Sequence, residues 1–174
     1  MLILQTERLC LRELQQSDFD ELYAMFNDPL VMRYYPRMRD AGGTQDWLDW
    51  AMASYRDPGY ALWAVELAQT KEFVGQCGLI NQEVDGQREV EIGYLFKSQH
   101  WHRGYATEAA RAVKQLAFER LGCAYVISLI RPANGPSRAV AERNGMSVWK
   151  TTTFRELETL VYRVDAQAKE PSDA

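Results

Sequence analysis

The stretch HWHRGYATEAARAV, residues 100–113, sets a basic side chain, a glycine and small residues at the start of a strongly helical run. A helix start leaves backbone N–H groups without intrahelical acceptors and carries the positive end of the helix dipole. Gly104 lets the chain turn tightly, Ala106 leaves room for close approach, and Arg103 adds charge. These features suit a phosphate or pyrophosphate. Neither a GxxxxGK loop followed by Ser or Thr nor a GxGxxG fingerprint accompanies them. Glu91 is a second candidate. Alternation in VEIGYLF puts Val90, Ile92, Tyr94 and Phe96 on one strand face and Glu89, Glu91 and Leu95 on the other. Its carboxylate is thus either a site group or a solvated one, paired with Arg88 or another cation. His100 and His102 are the only two histidines, with no Cys or carboxylate cluster at ligand spacing. No metal is expected; the pair should face solvent or lie near an anion at the helix start.

The elements that must position these residues are readable in outline. Residues 9–14 alternate as a strand. Ser17, with Asp20 three residues on, reads as a capping box for a helix through Leu22, Met25 and Phe26 that stops before Pro29. Residues 30–43 read as irregular. Thr44 is expected to cap a second helix that aligns Trp47, Leu48, Ala51 and Tyr55 and ends at Pro58-Gly59. Strands are predicted over 60–67, 73–80 and 89–96, with Asp85-Gly86 as a hairpin turn. After Gly104 a long helix aligns Ala106, Ala109, Ala110, Val113, Leu116, Ala117 and Leu121, ending at Gly122. A strand over 124–130 is apolar almost throughout and should be buried on both faces. Pro136 opens a short helix ending at Asn144-Gly145, and strands over 146–150 and 156–165 complete the list. The order predicts a mixed α/β fold: a central, mostly antiparallel sheet of about seven strands with helices on both faces. One domain over residues 1–165 and a polar tail over 166–174 are expected.

Composition narrows the function classes. At 174 residues and 47% hydrophobic the chain can bury a real core, and its net charge of −4 argues against direct nucleic-acid binding. Glu7 and Arg8 interrupt the N-terminal apolar residues before a signal or anchor could form, and no membrane span is expected. The three cysteines, Cys10, Cys77 and Cys123, are widely spaced and odd in number, which fits buried thiols in a reducing cytoplasm. Monomer and homodimer both remain open.

The segment EIGYLFKSQHWHRGYATEA resembles the central motif of the GCN5-related N-acetyltransferases, the GNAT family. That motif has Arg or Gln, two residues, Gly, one residue, then Gly or Ala. Gly104 and Ala106 fill the small positions; Trp101 stands where the basic residue is usual. TERLCLREL, VGQCGLI, EIGYLF and NGPSRAVAERNGM, in that order, resemble the subgroup that acetylates ribosomal-protein N-termini, and together they span about residues 6–164. The resemblance implies acetyl-CoA in a V-shaped opening between the strand ending at Leu95-Phe96 and the strand over 124–130. Its pyrophosphate would meet the amides of Arg103, Gly104, Tyr105, Ala106 and Thr107. Its pantetheine arm would pair with backbone near Leu95 and Phe96, Asn134 would bond the arm, and Ser137 would sit near the thiol.

Such a reaction moves an acetyl group to a primary amine, here a protein N-terminus by resemblance. A small amine such as a polyamine or aminoglycoside, or a CoA-binding module without turnover, stays open as an alternative. Acetyl transfer needs a positioned amine, a donor for the developing oxyanion, a base and a weak acid. Backbone N–H near Leu95 is the expected donor and Glu91 the candidate base, acting through water or binding the acceptor. Ser137 and Tyr162 compete as the acid. Tyr34, Tyr35 and Trp47 are candidates for the acceptor wall.

Overall fold

The two strands flanking the Asp85-Gly86 turn become the two longest of the sheet. β4 (Phe73–Val84) and β5 (Gln87–Phe96) pair antiparallel from Gly75 opposite Phe96 to Val84 opposite Gln87. Asp85 and Gly86 both take positive φ, 51° and 76°. That backbone matches the twist of a tight hairpin, as the Asp-Gly pair predicts. Both strands run closer to the turn than the apolar alternation does, because pairing beside a turn rests on backbone hydrogen bonds. The computed structural model describes residues 1–167. Most of the expected polar tail lies outside them.

The other strands are β1 (Leu2–Gln5), β2 (Leu9–Arg12), β3 (Leu62–Leu67), β6 (Tyr125–Ile130), β7 (Ser147–Phe154) and β8 (Leu157–Asp165). They join one mixed sheet in the order β1-β2-β3-β4-β5-β6-β8-β7. All neighbours are antiparallel except β5 and β6. The sheet has eight strands rather than seven. The unexpected one, β1, is four residues long and is defined by pairing with β2; so short a segment carries no readable period.

Helices cover both faces, as expected. α3 (Tyr105–Glu119) buries Ala109, Ala110, Val113, Leu116 and Ala117 against Leu9, Leu11, Trp63, Val74, Leu79, Ile92 and Phe96. Leu121 falls beyond the helix and is 43% exposed, off the predicted stripe. On the opposite face α1 (Phe19–Phe26) and α2 (Ala41–Ser54) bury Leu22, Met25, Phe26, Leu48 and Ala51 with Ala61, Ala64 and Phe73. α4 (Gly135–Arg143) follows β6 and contributes Ala141 to a small cluster with Ile130, Met146 and Tyr162. β6 is buried at Val126, Ile127, Ser128 and Ile130, as its apolar run predicts. Cys10 and Cys77 are buried, but Cys123 is only half-buried and lies before β6, in no strand.

Two helix starts differ from the sequence reading. Before α1 the working carboxylate is Asp18, not Asp20. It accepts the Gln15 N–H at 2.8 Å and both guanidinium nitrogens of Arg12 at 2.8 Å. Arg12 also bonds Glu66 of β3, so a tertiary ion network outweighs the local Ser17 cap. α2 is capped by Asp40, which accepts the Gly43 N–H at 2.8 Å. Gly42 and Gly43 therefore enter its first turn, and Thr44 is buried while donating to the Asp40 carbonyl.

Glycine at position 75 lets β4 lie close to β5 where β5 becomes the wall of a cleft. A Cβ there would stand 2.4 Å from the Leu95 carbonyl oxygen and 2.8 Å from the Phe96 Cα. Both are backbone atoms, so no rotamer relieves the clash. Gly75→Ala should destabilise the protein by about 1–3 kcal/mol, the usual cost of overpacking. The expected readout is a lower urea midpoint with an unchanged slope; an unshifted midpoint would show that β5 moves freely at this edge.

Candidate active site

β5 and β6 run parallel, and one pair, Glu91 opposite Ile127, joins them. The buried Ser128 hydroxyl then takes the Ile92 carbonyl at 2.9 Å. Beyond that point the strands part, and a cleft of about 1350 Å³ opens. Tyr94, Leu95 and Phe96 line one side and Asn134, Ser137 and Val140 the other, with the start of α3 at one end.

The direction of the β5 backbone follows from its pairing. Lys97 N–H bonds the Val74 carbonyl at 3.0 Å. Antiparallel bonds alternate along a strand, so Leu95 turns its N–H and C=O toward β4. Tyr94 and Phe96 turn theirs toward the cleft. The expected backbone donor therefore shifts by one residue: Leu95 contributes its side chain, and Tyr94 and Phe96 carry the free amides. The Phe96 carbonyl is already satisfied by the Trp101 indole N–H at 2.8 Å. Trp101, at the place where a basic residue is usual, thus ties the loop back to β5.

At the start of α3, Gly104 takes φ +79°, where L residues are strained, and its missing Cβ would meet the Arg8 guanidinium at 3.3 Å. Glu108 N–H is the first to find an intrahelical acceptor, Gly104 O at 3.0 Å. The amides of Tyr105, Ala106 and Thr107 are left for a ligand, and all three residues line the cleft. The loop is anchored from the N-terminal turn. Arg8 donates to the Arg103 carbonyl at 2.9 Å and pairs with Glu108 at 2.6 Å, while Thr6 donates to Glu108 at 2.6 Å. Burial raises the Glu108 pKa, but the bonds from Thr6 and Arg8 outweigh it, so the net shift is downward and Glu108 is charged. Arg8 supplies the compensating positive charge, which sequence reading did not assign. His102 and Arg103 are exposed, whereas His100 is buried with its Nε2 3.1 Å from Glu72; both histidines line the cleft, the second of the two placements expected for them.

Glu91 faces the α1–α2 side. Gln82 donates to one carboxylate oxygen at 2.7 Å and Leu129 N–H to the other at 3.3 Å. Its strand position is not an open solvated one. Burial raises its pKa to about 6, against the lowering effects of those two bonds and of Arg155. Arg33, Tyr34 and Tyr35 line the cleft and also an adjoining opening of about 340 Å³.

Ser137 lies across the cleft. Its hydroxyl donates to the Tyr94 oxygen at 3.2 Å, and the Tyr94 hydroxyl donates to the Ser137 carbonyl at 2.9 Å. Burial chiefly raises the Tyr94 pKa. Tyr94 was read only as an apolar-face residue; its hydroxyl in the cleft is a feature the alternation pattern does not carry. Asn134 lines the cleft and caps α4, its Oδ1 accepting Ser137 N–H at 3.1 Å.

Four candidates lie outside the residues that line the cleft: Glu91 beneath its strand edge, Arg103 in the loop beside it, and Tyr162 and Trp47, whose polar ends are engaged elsewhere. Tyr162 is 1% exposed in the cluster beneath α4, and its hydroxyl accepts from Arg138 and donates to Glu142, both at 3.0 Å. It lies outside the cleft lining because β8 turns that side chain under α4. Trp47 also lies outside both openings. Its ring packs on Phe26 and Trp50, and its indole donates to the buried Gln76 at 3.1 Å. Among the described residues no group of three or more His, Cys, Asp and Glu stands where it could hold a metal, and no helix is long and apolar enough to cross a membrane.

A parted sheet with free strand-edge amides and an open helix start defines the acyl-CoA acetyltransferase fold. The chain matches the acetyltransferase (GNAT) domain family over residues 8–147, and it belongs to that family. It is 40% identical over 149 residues to the uncharacterized protein YkkB of Bacillus subtilis (strain 168), covering 85% of this chain and 87% of that one. The crystal structure of an acetyltransferase from Agrobacterium tumefaciens str. C58 superposes with a TM-score of 0.84 at 32% identity, over 94% of both chains. A ribosomal L7/L12 alpha-N-protein acetyltransferase in complex with coenzyme A gives 0.78 at 15% identity, over 97% of this chain and all of that one. At that identity the likeness is one of fold. The protein is an acetyl-CoA-dependent N-acetyltransferase.

The Glu91 environment has a consequence for stability. Its folded pKa of about 6 lies above the ordinary 4.5, so the native state holds the proton more tightly than the unfolded chain. The contribution is favourable below the ordinary pKa and is lost as pH rises through about 6. Urea melts of Glu91→Gln should lack the fall in stability across this window that the wild type shows; parallel pH profiles would mean that Glu91 titrates as an ordinary carboxyl.

Proposed function

We propose that this protein, through one catalytic domain over residues 1–165, acetylates a peptide or protein N-terminal amine by direct attack in a ternary complex. A place in the subgroup that modifies ribosomal proteins is part of this reading. The observation that carries it is the parting of β5 and β6, which leaves the Tyr94 and Phe96 amides facing the cleft; Glu91 stands at the last paired position, three residues before Tyr94 and outside the cleft lining, so a water must link it to an amine there. The second opening, bounded by Tyr34 and Tyr35 and lined by no residue of the α3 start, gives an acceptor its own approach.

The residues present fit acetyl-CoA: free amides at Tyr105, Ala106 and Thr107 suit its pyrophosphate, with Arg103 and Gly104 in the same loop and Arg8 beside it. The edge at Tyr94 and Phe96 suits the amides of its arm, and Asn134 offers its Nδ2 from the other wall. When bound, acetyl-CoA supplies a thioester carbonyl at which the amine N–C bond forms while the C–S bond breaks. The strand-edge N–H groups are in place for the oxygen that gains charge. Glu91 takes the amine proton through a water; a pKa of about 6 keeps it ionised yet basic near neutral pH. Of the two acid candidates Ser137 is the one that lines the cleft; its hydroxyl turns from the Tyr94 oxygen, to which it donates in the free protein, to donate to the sulfur.

Glu91→Gln keeps the shape and removes the basicity. kcat/KM should fall on the order of 10²-fold, with acetyl-CoA affinity nearly unchanged and a smaller loss at high pH, where more acceptor is already neutral. Wild-type kcat/KM from weakly acid to alkaline pH would remove Glu91 from the mechanism. Gly104→Val forces a β-branched residue to positive φ at the α3 start. The acetyl-CoA dissociation constant should rise about tenfold or more, about 1.4 kcal/mol, with native circular dichroism; unchanged binding by calorimetry would displace the pyrophosphate from this loop.

A further inference from the structure

The second opening is basic although the chain is acidic overall. Its lining comprises Arg33, Arg131 and Glu158 with Tyr34, Tyr35 and small or apolar residues. Arg131 follows the end of β6 and is half-buried. Its Nη1 is buried without an acceptor, and no carboxylate lies within 4 Å of the Arg131 or Arg33 guanidinium among the described residues. Glu158, the acidic group of the lining, makes no such pair either. Two further cations stand nearby. Arg155 is close enough to Glu91 for its charge to lower that carboxyl's pKa, and close enough to Arg39 to lower that one too.

A guanidinium withdrawn from water without a counter-ion is costly. Arg12 is matched by Asp18 and Glu66, whereas Arg39, like Arg131, has no carboxylate within 4 Å among the described residues, its guanidinium resting instead on the Phe26 and Trp47 rings. Arg131 has neither a carboxylate nor an acceptor for its buried Nη1. It also lies on the acceptor's path, in an opening that shares Tyr34 and Tyr35 with the cofactor cleft. An anion arriving with the acceptor would supply the missing partner. Arginine's planar fork favours a carboxylate, which it can hold with two parallel bonds.

We propose that the acceptor is an amine bearing a carboxylate, and that Arg131, with Arg33 at the rim, binds that carboxylate while the amine points toward Glu91. This rests on the acetyl-transfer reading given above. It names a chemistry shared by two sources: a small amino acid with its own carboxylate, and a peptide with Asp or Glu near its N-terminus. Polycationic amines would meet Arg33 and Arg131 and lose rather than gain from the opening.

The test pairs acceptors that differ only in charge. Thiol release is measured with acetyl-CoA and amino acids against their amides, and with peptides carrying Asp or Glu at the first two positions against Asn or Gln. The carboxylate member of at least one pair should show a lower KM by on the order of tenfold, and which pair responds identifies the source. Arg131→Gln should raise KM for that acceptor by a similar factor while leaving kcat, KM for acetyl-CoA and the amide analogue's rate unchanged. Equal rates within every pair, or an Arg131→Gln loss that is the same for charged and neutral acceptors, would overturn the proposal and leave acetyl transfer standing. If no amine is turned over, the transfer reading fails, and the proposal is judged by calorimetry on the CoA-loaded protein. Tighter binding of the carboxylate member, weakened by Arg131→Gln, then supports it; equal binding overturns it.

Discussion

The site depends on where two parallel strands stop pairing. β5 and β6 meet at Glu91 and Ile127, and Ser128 spends its hydroxyl on the last shared carbonyl, that of Ile92. Past that bond the facing backbone groups have no strand partner. Buried backbone polar groups are rarely left unmatched, and the protein meets the requirement in two ways: Trp101 satisfies the Phe96 carbonyl, and the amides of Tyr94 and Phe96 remain for a ligand. A sheet zipped along its full length would be more self-sufficient and would hold nothing.

The same junction tunes Glu91. Its carboxylate sits where β4, β5 and β6 converge, so one donor comes from Gln82 and another from the Leu129 backbone. Burial favours the neutral acid more strongly than these bonds favour the anion, and the balance falls at about 6. Across the gap Tyr94 and Ser137 hold one another by two hydrogen bonds. The hydroxyl nearest the expected position of sulfur is thereby fixed by β5 itself, and both walls of the cleft answer to one strand.

The helix start is held by a different set of contacts. Thr6 and Arg8, from the turn after β1, grip Glu108 in the first turn of α3, and Arg8 reaches on to the Arg103 carbonyl. A carboxylate in the first turn is favourable to the dipole but unwelcome to a phosphate. Its pairing with Arg8 removes that conflict and leaves the amides of the turn as the local positive pole. The short strand β1 earns its place here, because without it the turn carrying Arg8 has no fixed position.

The sequence by itself determined the parts that rest on local rules. Asp85-Gly86 dictated the hairpin, Gly104 the left-handed residue before α3, and the apolar spacing from Ala109 to Ala117 the buried face of that helix. The alternation around Glu91 put it opposite Ile92 and Phe96, and the small residues at Gly104 and Ala106 marked the family's loop. What only the tertiary structure decided rests on contacts between residues distant in the chain. Asp18 rather than Asp20 ends up at the α1 start because it binds Arg12, which Glu66 of β3 holds in place; Tyr162 and Trp47 are withdrawn from the site because Arg138, Glu142 and Gln76 engage their polar ends. Tyr94 and Arg8 acquire their places at the cleft, and Arg131 its place in the second opening, only when the sheet is assembled. A period of two tells which face a strand residue takes, but the partner waiting on that face, and so the charge state of Glu91, is set by chain segments that the local pattern does not contain.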